Sequence, residues 1–187
     1  CKMDDDKIIE LFFERSEIAI SELSKKYGPL CSKIANNILH NSLDVEECVN
    51  DTYLGVWNSI PPQKPNPLMA YVCKIARNLA IKKYHSNSAV KRNSNYDISL
   101  DELEYCLGSI NSVEDDYNMK ILAEKIDAFL DNIAPESRVI FMRRYWFSDS
   151  ISDIADMLSV NNHNVSVRLH RIRENLRKYL MKEGYEL

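Results

Sequence analysis

Apolar residues recur at three- and four-residue spacing through most of the 187-residue chain, a period that predicts helices rather than strands. The predicted helices cover residues 7–13, 16–27, 30–39, 44–57, 68–84, 119–133, 135–147, 151–158 and 162–182. Gly28-Pro29 is expected to break or kink the run between the second and third, because proline has no N–H to donate. With only four glycines and six prolines in the whole chain, a turn-rich β fold is disfavoured. The pattern therefore predicts an all-α protein.

The clearest of these helices runs from Asp44 to Trp57. Asp44 suits an N-cap, and Glu47 three residues later completes a capping box. One face of this helix is apolar, and the opposite face carries Glu46, Glu47, Asn50, Asp51 and Leu54. A single exposed leucine commonly has no role. An apolar anchor on an acidic face also fits the docking of a protein partner, so both interpretations stay open.

Charge is distributed unevenly, although the net charge is only -4. Residues 68–92 hold six Lys and Arg and no acid. Residues 163–182 also hold six Lys and Arg, with Glu174 as the one acid. Residues 97–118 hold seven Asp and Glu and no Lys or Arg. Two basic blocks separated by an acidic one predict two surfaces that face phosphates.

The middle of the chain has the composition of a linker. Residues 85–96 are rich in Ser and Asn, and the acidic stretch that follows has leucines at 100, 103 and 107, enough for a short helix without a core of its own. We therefore predict two small helical domains, residues 1–85 and 118–187, joined by a flexible acidic linker over residues 86–117.

The predicted helices 151–158 and 162–182, with a short turn between them, form a helix-turn-helix pattern. Ser150 and Asn161 suit their N-caps, and the second helix should bury Val165, Leu169, Ile172 and Leu176. Its other faces would present Asn162, His163, Asn164, Ser166, Val167, Arg168, His170 and Arg171 to a DNA groove. Asn164 suits an adenine edge, Val167 a thymine methyl, and Arg168 and Arg173 the phosphates. The alternative is a basic amphipathic helix in a plain bundle.

The helix at residues 68–84 follows a loop, residues 58–67, that holds four prolines. A loop stiffened in this way can hold a pocket for a base at little ordering cost. Lys74, Arg77, Asn78, Lys82 and Lys83 on the helix suit backbone contacts to a single strand. The alternative is that this basic run is simply a solvated helix face.

Three segments resemble bacterial sigma factors. Residues 44–57 resemble the second-region pattern D-A-E-D-L-V-Q-E-x-F-L-x-x-W, with Asn50 and Asp51 in place of the Gln and Glu. Residues 68–80 resemble A-W-L-x-x-I-A-R-N-x-A, with Tyr71 in place of the Trp. Residues 151–173 resemble the fourth-region pattern that ends in R-L-H-R-A-R, although Ser159, His163, Asn164, Ser166 and Val167 depart from it. The length fits the small two-domain type, the extracytoplasmic-function sigma factors.

The resemblance implies a factor that gives RNA polymerase its promoter choice at transcription initiation. It implies polymerase binding through Glu47, Asn50, Asp51 and Leu54. It implies contacts to the minus-ten element through Asn58, Tyr71, Lys74, Arg77, Asn78, Lys82 and Lys83, and places the minus-thirty-five element on the outward residues of the last helix. An acidic linker within the polymerase channels and an anti-sigma partner are also implied. A stand-alone helix-turn-helix regulator and a polymerase-binding adaptor are the alternatives.

No pattern in the chain indicates catalysis, since H-E-x-x-H, P-loop, G-x-S-x-G and paired Cys/His motifs do not occur. We therefore expect no enzymatic activity, cofactor or metal. Five widely separated cysteines predict buried, reduced thiols in a cytoplasmic protein. We see no signal peptide or membrane-spanning run, and we expect a monomer in the absence of polymerase. Met3 is expected to be the natural start, with Cys1-Lys2 a cloning remnant.

Overall fold

The computed structural model describes residues 3–87, 94–107 and 116–185. The chain divides into two compact units, Cys1–Ser94 and Asn95–Leu187. Each unit has a hydrophobic core of its own. All regular structure within the described residues is helical, which confirms the predicted all-α, two-domain fold.

The N-terminal unit is built from four helices. They are α1 (Asp5–Phe13), α2 (Ile18–Leu39), α3 (Ser42–Ser59) and α4 (Leu68–Ser86). Helices α2, α3 and α4 pack against one another, and α1 packs on α2. Phe12, Leu23, Val56 and Val72 are completely buried where these helices meet, because the apolar stripe of each helix faces the others.

The predicted break at Gly28-Pro29 is wrong, because α2 continues through Pro29 without interruption. A proline inside a helix removes one backbone hydrogen bond, a cost that packing of a long buried helix can offset. The neighbouring glycine has a packing role, since a Cβ on Gly28 would lie 2.8 Å from the Tyr53 hydroxyl of α3. Gly28 therefore leaves room for the Tyr53 hydroxyl of α3 beside the α2 backbone.

The start of α3 also differs from the prediction. Asn41, rather than Asp44, is the N-cap: its side-chain oxygen accepts from the backbone N–H of Leu43 (2.9 Å) and of Asp44 (3.3 Å). Asp44 instead accepts from the Asn87 side chain (3.0 Å) at the end of α4. Asp44 therefore makes a tertiary hydrogen bond to the end of α4 instead of capping its own helix.

The C-terminal unit begins earlier in the chain than predicted. It contains α5 (Asn95–Leu107), α6 (Asp116–Asn132), α7 (Pro135–Phe141) with a π-helical turn (Met142–Trp146), α8 (Ile151–Leu158) and α9 (Asn162–Lys182). The predicted caps are confirmed, because Ser150 Oγ accepts from the Asp153 N–H (3.0 Å) and Asn161 Oδ1 from the Asn164 N–H (2.8 Å). The four residues predicted as the apolar stripe of α9 are all buried.

The turn of the helix-turn-helix is closed by Ser159, which ends α8 in the left-handed region (φ 55°). Glycine adopts this conformation without the steric cost that a Cβ brings. Ser159 nevertheless completes the turn, because its N–H bonds back to the carbonyls of Ala155 and Asp156. The departure from the resembled glycine pattern at this position therefore leaves the motif intact.

The prediction of a flexible linker over residues 86–117 is wrong for Asn95–Leu107, which forms α5 and belongs to the C-terminal unit. Leu103 and Leu107 pack against the core of that unit, and Tyr96 is 5% exposed. The helix docks because one of its acids has buried partners, described below. Four of the charged residues counted in the basic and acidic blocks lie outside the described residues: Lys91, Arg92, Glu114 and Asp115.

Three of the five cysteines lie in the N-terminal core. Cys31, Cys48 and Cys73 are buried and form no disulfide, as predicted. Burial raises the pKa of the Cys31 thiol to about 12 and that of Cys48 to about 11. Cys1 and the side chain of Cys106 lie outside the described residues. Across the part of the chain that the structure describes, none of the helices combines the length and apolarity needed to cross a membrane.

Candidate docking and nucleic-acid interfaces

The outer face of α3, which we define as Glu47, Asn50, Asp51 and Leu54, is exposed along its whole length. It is opposite Cys48, Thr52 and Val56, which are buried on the side of α3 that packs on α2 and α4. Leu54 is 56% exposed. A groove of about 780 Å³ lies beside it, lined by Glu17, Ile20, Ser21, Ser24, Asn50, Tyr53, Leu54 and Trp57. The α3 outer face thus combines an acidic rim, an apolar anchor and an adjacent concave surface, which suits a protein partner.

The α4 basic face, which we define as Lys74, Arg77, Asn78, Lys82 and Lys83, contains exposed and half-buried members. Lys74, Asn78 and Lys82 are exposed, as is Asn58 at the end of α3, whereas Arg77, Lys83 and Tyr71 are half-buried. Tyr71 packs against the N-terminal core. The exposed members can reach a phosphate backbone without breaking core contacts.

Lys83 joins the two faces. Its ammonium group pairs with Glu47 of the α3 outer face and lies 3.3 Å from Asp44. The hydrogen bond to Glu47 raises the pKa of Lys83. The predicted polymerase contact Glu47 and the predicted DNA contact Lys83 are therefore each other's partners, and an external ligand has to compete with that pair.

The proline-rich loop between α3 and α4 is fixed at both ends. Ile60 at its start is completely buried, and Leu68 at its end is 1% exposed. Arg15 adds a contact that sequence reasoning missed, since its guanidinium donates to the Trp57 carbonyl (2.7 Å) and lies 5.4 Å from the Trp57 ring centre. Arg15 thereby caps the end of α3 beside Asn58. No local pattern indicates a contact between positions 42 residues apart.

The α9 outer face, which we define as the eight outward residues predicted to face DNA, lies in the N-terminal half of the helix. Asn162, His163, His170 and Arg171 are exposed, and the other four are half-buried. A cavity of about 410 Å³ is lined by Asn161, His163, Asn164, Val167, Arg168 and Arg171. The predicted base-reading residues Asn164 and Val167 therefore share one concavity with Arg171.

Two members of the α9 outer face have partners within the protein. Ser166 donates its hydroxyl proton to the Asn162 carbonyl one turn earlier (3.0 Å). Arg168 pairs with Glu136 at the start of α7 (2.8 Å). Their interactions with DNA would replace contacts that already exist.

Arg173, predicted to contact a phosphate, points into the domain instead. It donates to Glu102 of α5 (3.1 Å) and to the Tyr145 hydroxyl (2.7 Å). Glu102 also accepts from Arg144, whose side chain is 3% exposed. The prediction for Arg173 is wrong, because its guanidinium is bound to the carboxylate of Glu102, which lies outside the predicted helix-turn-helix. Arg144 and Glu102 were missed by sequence reasoning, since the pair is 42 residues apart.

Within residues 3–87, 94–107 and 116–185, no three His, Cys, Asp or Glu side chains are grouped so that they could hold a metal ion. What the described faces offer is charge, hydrogen bonding and one apolar anchor.

Comparison with known proteins matches each unit to a family. Residues 23–90 match the Sigma-70 region 2 model, and residues 123–176 match the Sigma-70 region 4 model. The ECF RNA polymerase sigma factor SigE of Mycolicibacterium smegmatis is 22% identical over 165 residues, covering 88% of this chain and 63% of that protein. The chain thus spans less than two thirds of the length of this relative.

A solved structure, that of CnrH in complex with the cytosolic domain of CnrY, aligns over 96% of this chain and 98% of its own, with a TM-score of 0.44 and 15% identity. The two regional matches follow one another in the order of the sigma-70 proteins, one in each unit. The chain belongs to the extracytoplasmic-function sigma factors.

Proposed function

We propose that this chain binds core RNA polymerase and gives it promoter choice at transcription initiation. One observation carries the proposal: each unit places exposed binding residues in the region that the family comparison matches. The α3 outer face and the α4 basic face lie in the unit matched by region 2, and the α9 outer face lies in the unit matched by region 4.

The N-terminal unit has two roles in this proposal. The α3 outer face binds the polymerase, with Leu54 as the anchor that loses contact with water on binding. The α4 basic face, together with Asn58 and Tyr71, binds the minus-ten element, and the loop held by Ile60 and Leu68 supplies the pocket for an unstacked base. Because Glu47 and Lys83 are paired, polymerase binding at the first face alters the charge presented by the second.

The C-terminal unit reads the minus-thirty-five element through the α9 outer face. The N-terminal half of the second helix of a helix-turn-helix enters the major groove. His163, His170 and Arg171 are exposed there, and Asn164 and Val167 line the same concavity. The protein carries no catalytic step in this proposal, acts in the cytoplasm with the polymerase, is monomeric when free, and has an anti-sigma factor as a further partner.

The proposal is tested by adding the purified chain to bacterial core polymerase and sequencing the transcripts made from a library of random DNA. We expect starts that follow a shared two-part motif, with one part near position -10 and the other near -35. Transcripts identical to those of core polymerase alone would contradict the proposed function.

Replacing Arg171 with alanine is expected to weaken promoter binding by the polymerase complex by about 1–3 kcal/mol, because an exposed arginine in the reading half of α9 contacts a base edge. Lys178→Ala is the matched control, since Lys178 is an exposed cation on the same helix two turns further on. Fluorescence anisotropy on one promoter fragment measures both variants. Equal losses of promoter affinity for the two variants would mean that Arg171 contributes only its positive charge and does not read a base.

A further inference from the structure

One backbone carbonyl at the end of α3 has no helical donor, because the proline-rich loop begins there. In a continuing helix the N–H of residue 61 would bond to the carbonyl of Trp57, but Pro61 has no N–H. The carbonyl one residue earlier does have a backbone donor, since the Ile60 N–H bonds to the Val56 carbonyl (3.0 Å). The Trp57 carbonyl therefore needs a donor from elsewhere in the chain.

Arg15 supplies that donor from the turn after α1. Its Nη1 atom donates to the Trp57 carbonyl (2.7 Å), and its guanidinium carbon lies 5.4 Å from the centre of the Trp57 ring. The same ring meets Phe12 edge to edge or edge to face, with the two ring centres 6.0 Å apart, and Phe12 is completely buried. The end of α3 is thus held through both the carbonyl and the ring of Trp57.

The backbone of Arg15 has a conformation that usually selects glycine. Arg15 lies in the left-handed region (φ 55°), directly after the C-cap residue Glu14 of α1. The Ser16 N–H bonds back to the Leu11 carbonyl (3.0 Å), which is the hydrogen bond of a Schellman motif. Glycine is common at this position because a Cβ is disfavoured there. An arginine in its place points to a role for the side chain.

The loop has less support further along. A cavity of about 310 Å³ lies beside it, lined by Ile9, Glu10, Phe13, Glu14 and Lys64. The loop is packed instead at its two ends, where Ile60 and Leu68 are buried. The direction in which the loop leaves α3 therefore depends on how firmly the end of α3 is held.

We infer that Arg15 is a positioning residue for recognition of the minus-ten element. By holding the Trp57 carbonyl, it sets where the loop leaves α3 and thereby the fit of the loop to an unstacked base. Discrimination between bases needs hydrogen bonds of good geometry, so a displaced loop discriminates less well. Arg15 acts through Trp57 and does not itself contact the base. The inference rests on the proposed function, because it concerns the base that this loop receives.

The test removes the Arg15 side chain without straining the backbone. Arg15→Gly suits the left-handed conformation, and this gain opposes the larger chain entropy of glycine, so the variant should fold like the wild type. His40→Gly is the matched control, because His40 is the exposed left-handed residue that ends α2 in the same unit (φ 53°). Arg15→Lys keeps a charged donor on a long side chain and should retain most of the function.

Each variant is combined with core polymerase and assayed for transcription from promoters in which each minus-ten base is changed in turn. The position of the unstacked base is located by 2-aminopurine fluorescence. At that position we expect the wild type, His40→Gly and Arg15→Lys to prefer the correct base by about tenfold or more. Arg15→Gly should prefer it by about threefold or less, with unchanged preferences at the other promoter positions. A loss of folded protein lowers transcription from all promoters equally and leaves these ratios unchanged.

A wild-type base preference in Arg15→Gly would overturn the inference. A loss of affinity by Arg15→Gly that is equal for all bases and comes with a weaker salt dependence would also overturn it, by making Arg15 a phosphate contact. If Arg15→Gly does not fold, Arg15→Asn takes its place, because asparagine tolerates the left-handed conformation and its side chain is much shorter. If the wild type prefers no base anywhere in the minus-ten element, the proposed function itself fails.

Discussion

Asp51→Arg combined with Leu54→Ala is expected to weaken binding of this protein to core RNA polymerase by roughly tenfold to a thousandfold, or about 1.4–4 kcal/mol. Leu54 is 56% exposed and lies beside a groove, the arrangement of an anchor that becomes buried on binding. Reversing Asp51 adds a like charge to a contact expected between an acidic face and a basic partner. Neither residue supports the core of the N-terminal unit, so the fold should remain intact.

Titration of labelled core polymerase with the double variant measures this loss, and circular dichroism checks the fold. The matched control is Glu10→Arg with Phe13→Ala on α1, because it also removes one exposed acid and one exposed apolar side chain (Phe13 is 45% exposed). Undiminished binding by the α3 variant, or an equal loss in the α1 control, would remove the α3 outer face as the docking surface.

The helix-turn-helix could be predicted from the sequence because its determinants are local. Ser150 and Asn161 cap their own helices, and the stripe from Val165 to Leu176 repeats with the helical period. The exposure of the α3 outer face was predictable for the same reason. Patterns of this kind depend on residues within a few turns of one another.

The errors came from contacts that are distant in the sequence. In the sequence Glu102 is one of seven neighbouring acids. Its partners Arg144 and Arg173 lie 42 and 71 residues further along the chain. Asp44 has the local pattern of an N-cap, but in the structure it contacts Lys83 and Asn87. Periodicity assigns a charged side chain to a face but does not identify its partner. For this reason the docking of α5 and the inward direction of Arg173 could not be predicted.

The second large expected effect concerns DNA binding by the protein without polymerase, and internal ion pairs contribute to it. A single helix-turn-helix reads only a half-site, and dimers are the common way to recover affinity. In this chain Arg168 and Arg173 are already paired, and the acids of α5 repel phosphates near α9. We therefore expect the free protein to be a monomer whose DNA binding is weak, strongly salt-dependent and of little specificity.

Core polymerase should change this behaviour, because it holds both units on one DNA and converts two weak contacts into one complex. The expected gain in affinity for a promoter over an unrelated fragment is on the order of a hundredfold or more. The direct measurement is a gel-shift at physiological salt on one promoter fragment, with and without core polymerase, together with the mass of the free protein in solution. We expect a specific shifted band only when core polymerase is present, and a monomer when it is absent. Tight, sequence-specific binding by a dimer of the free protein would rule out the proposed sigma-factor function and identify a stand-alone helix-turn-helix regulator.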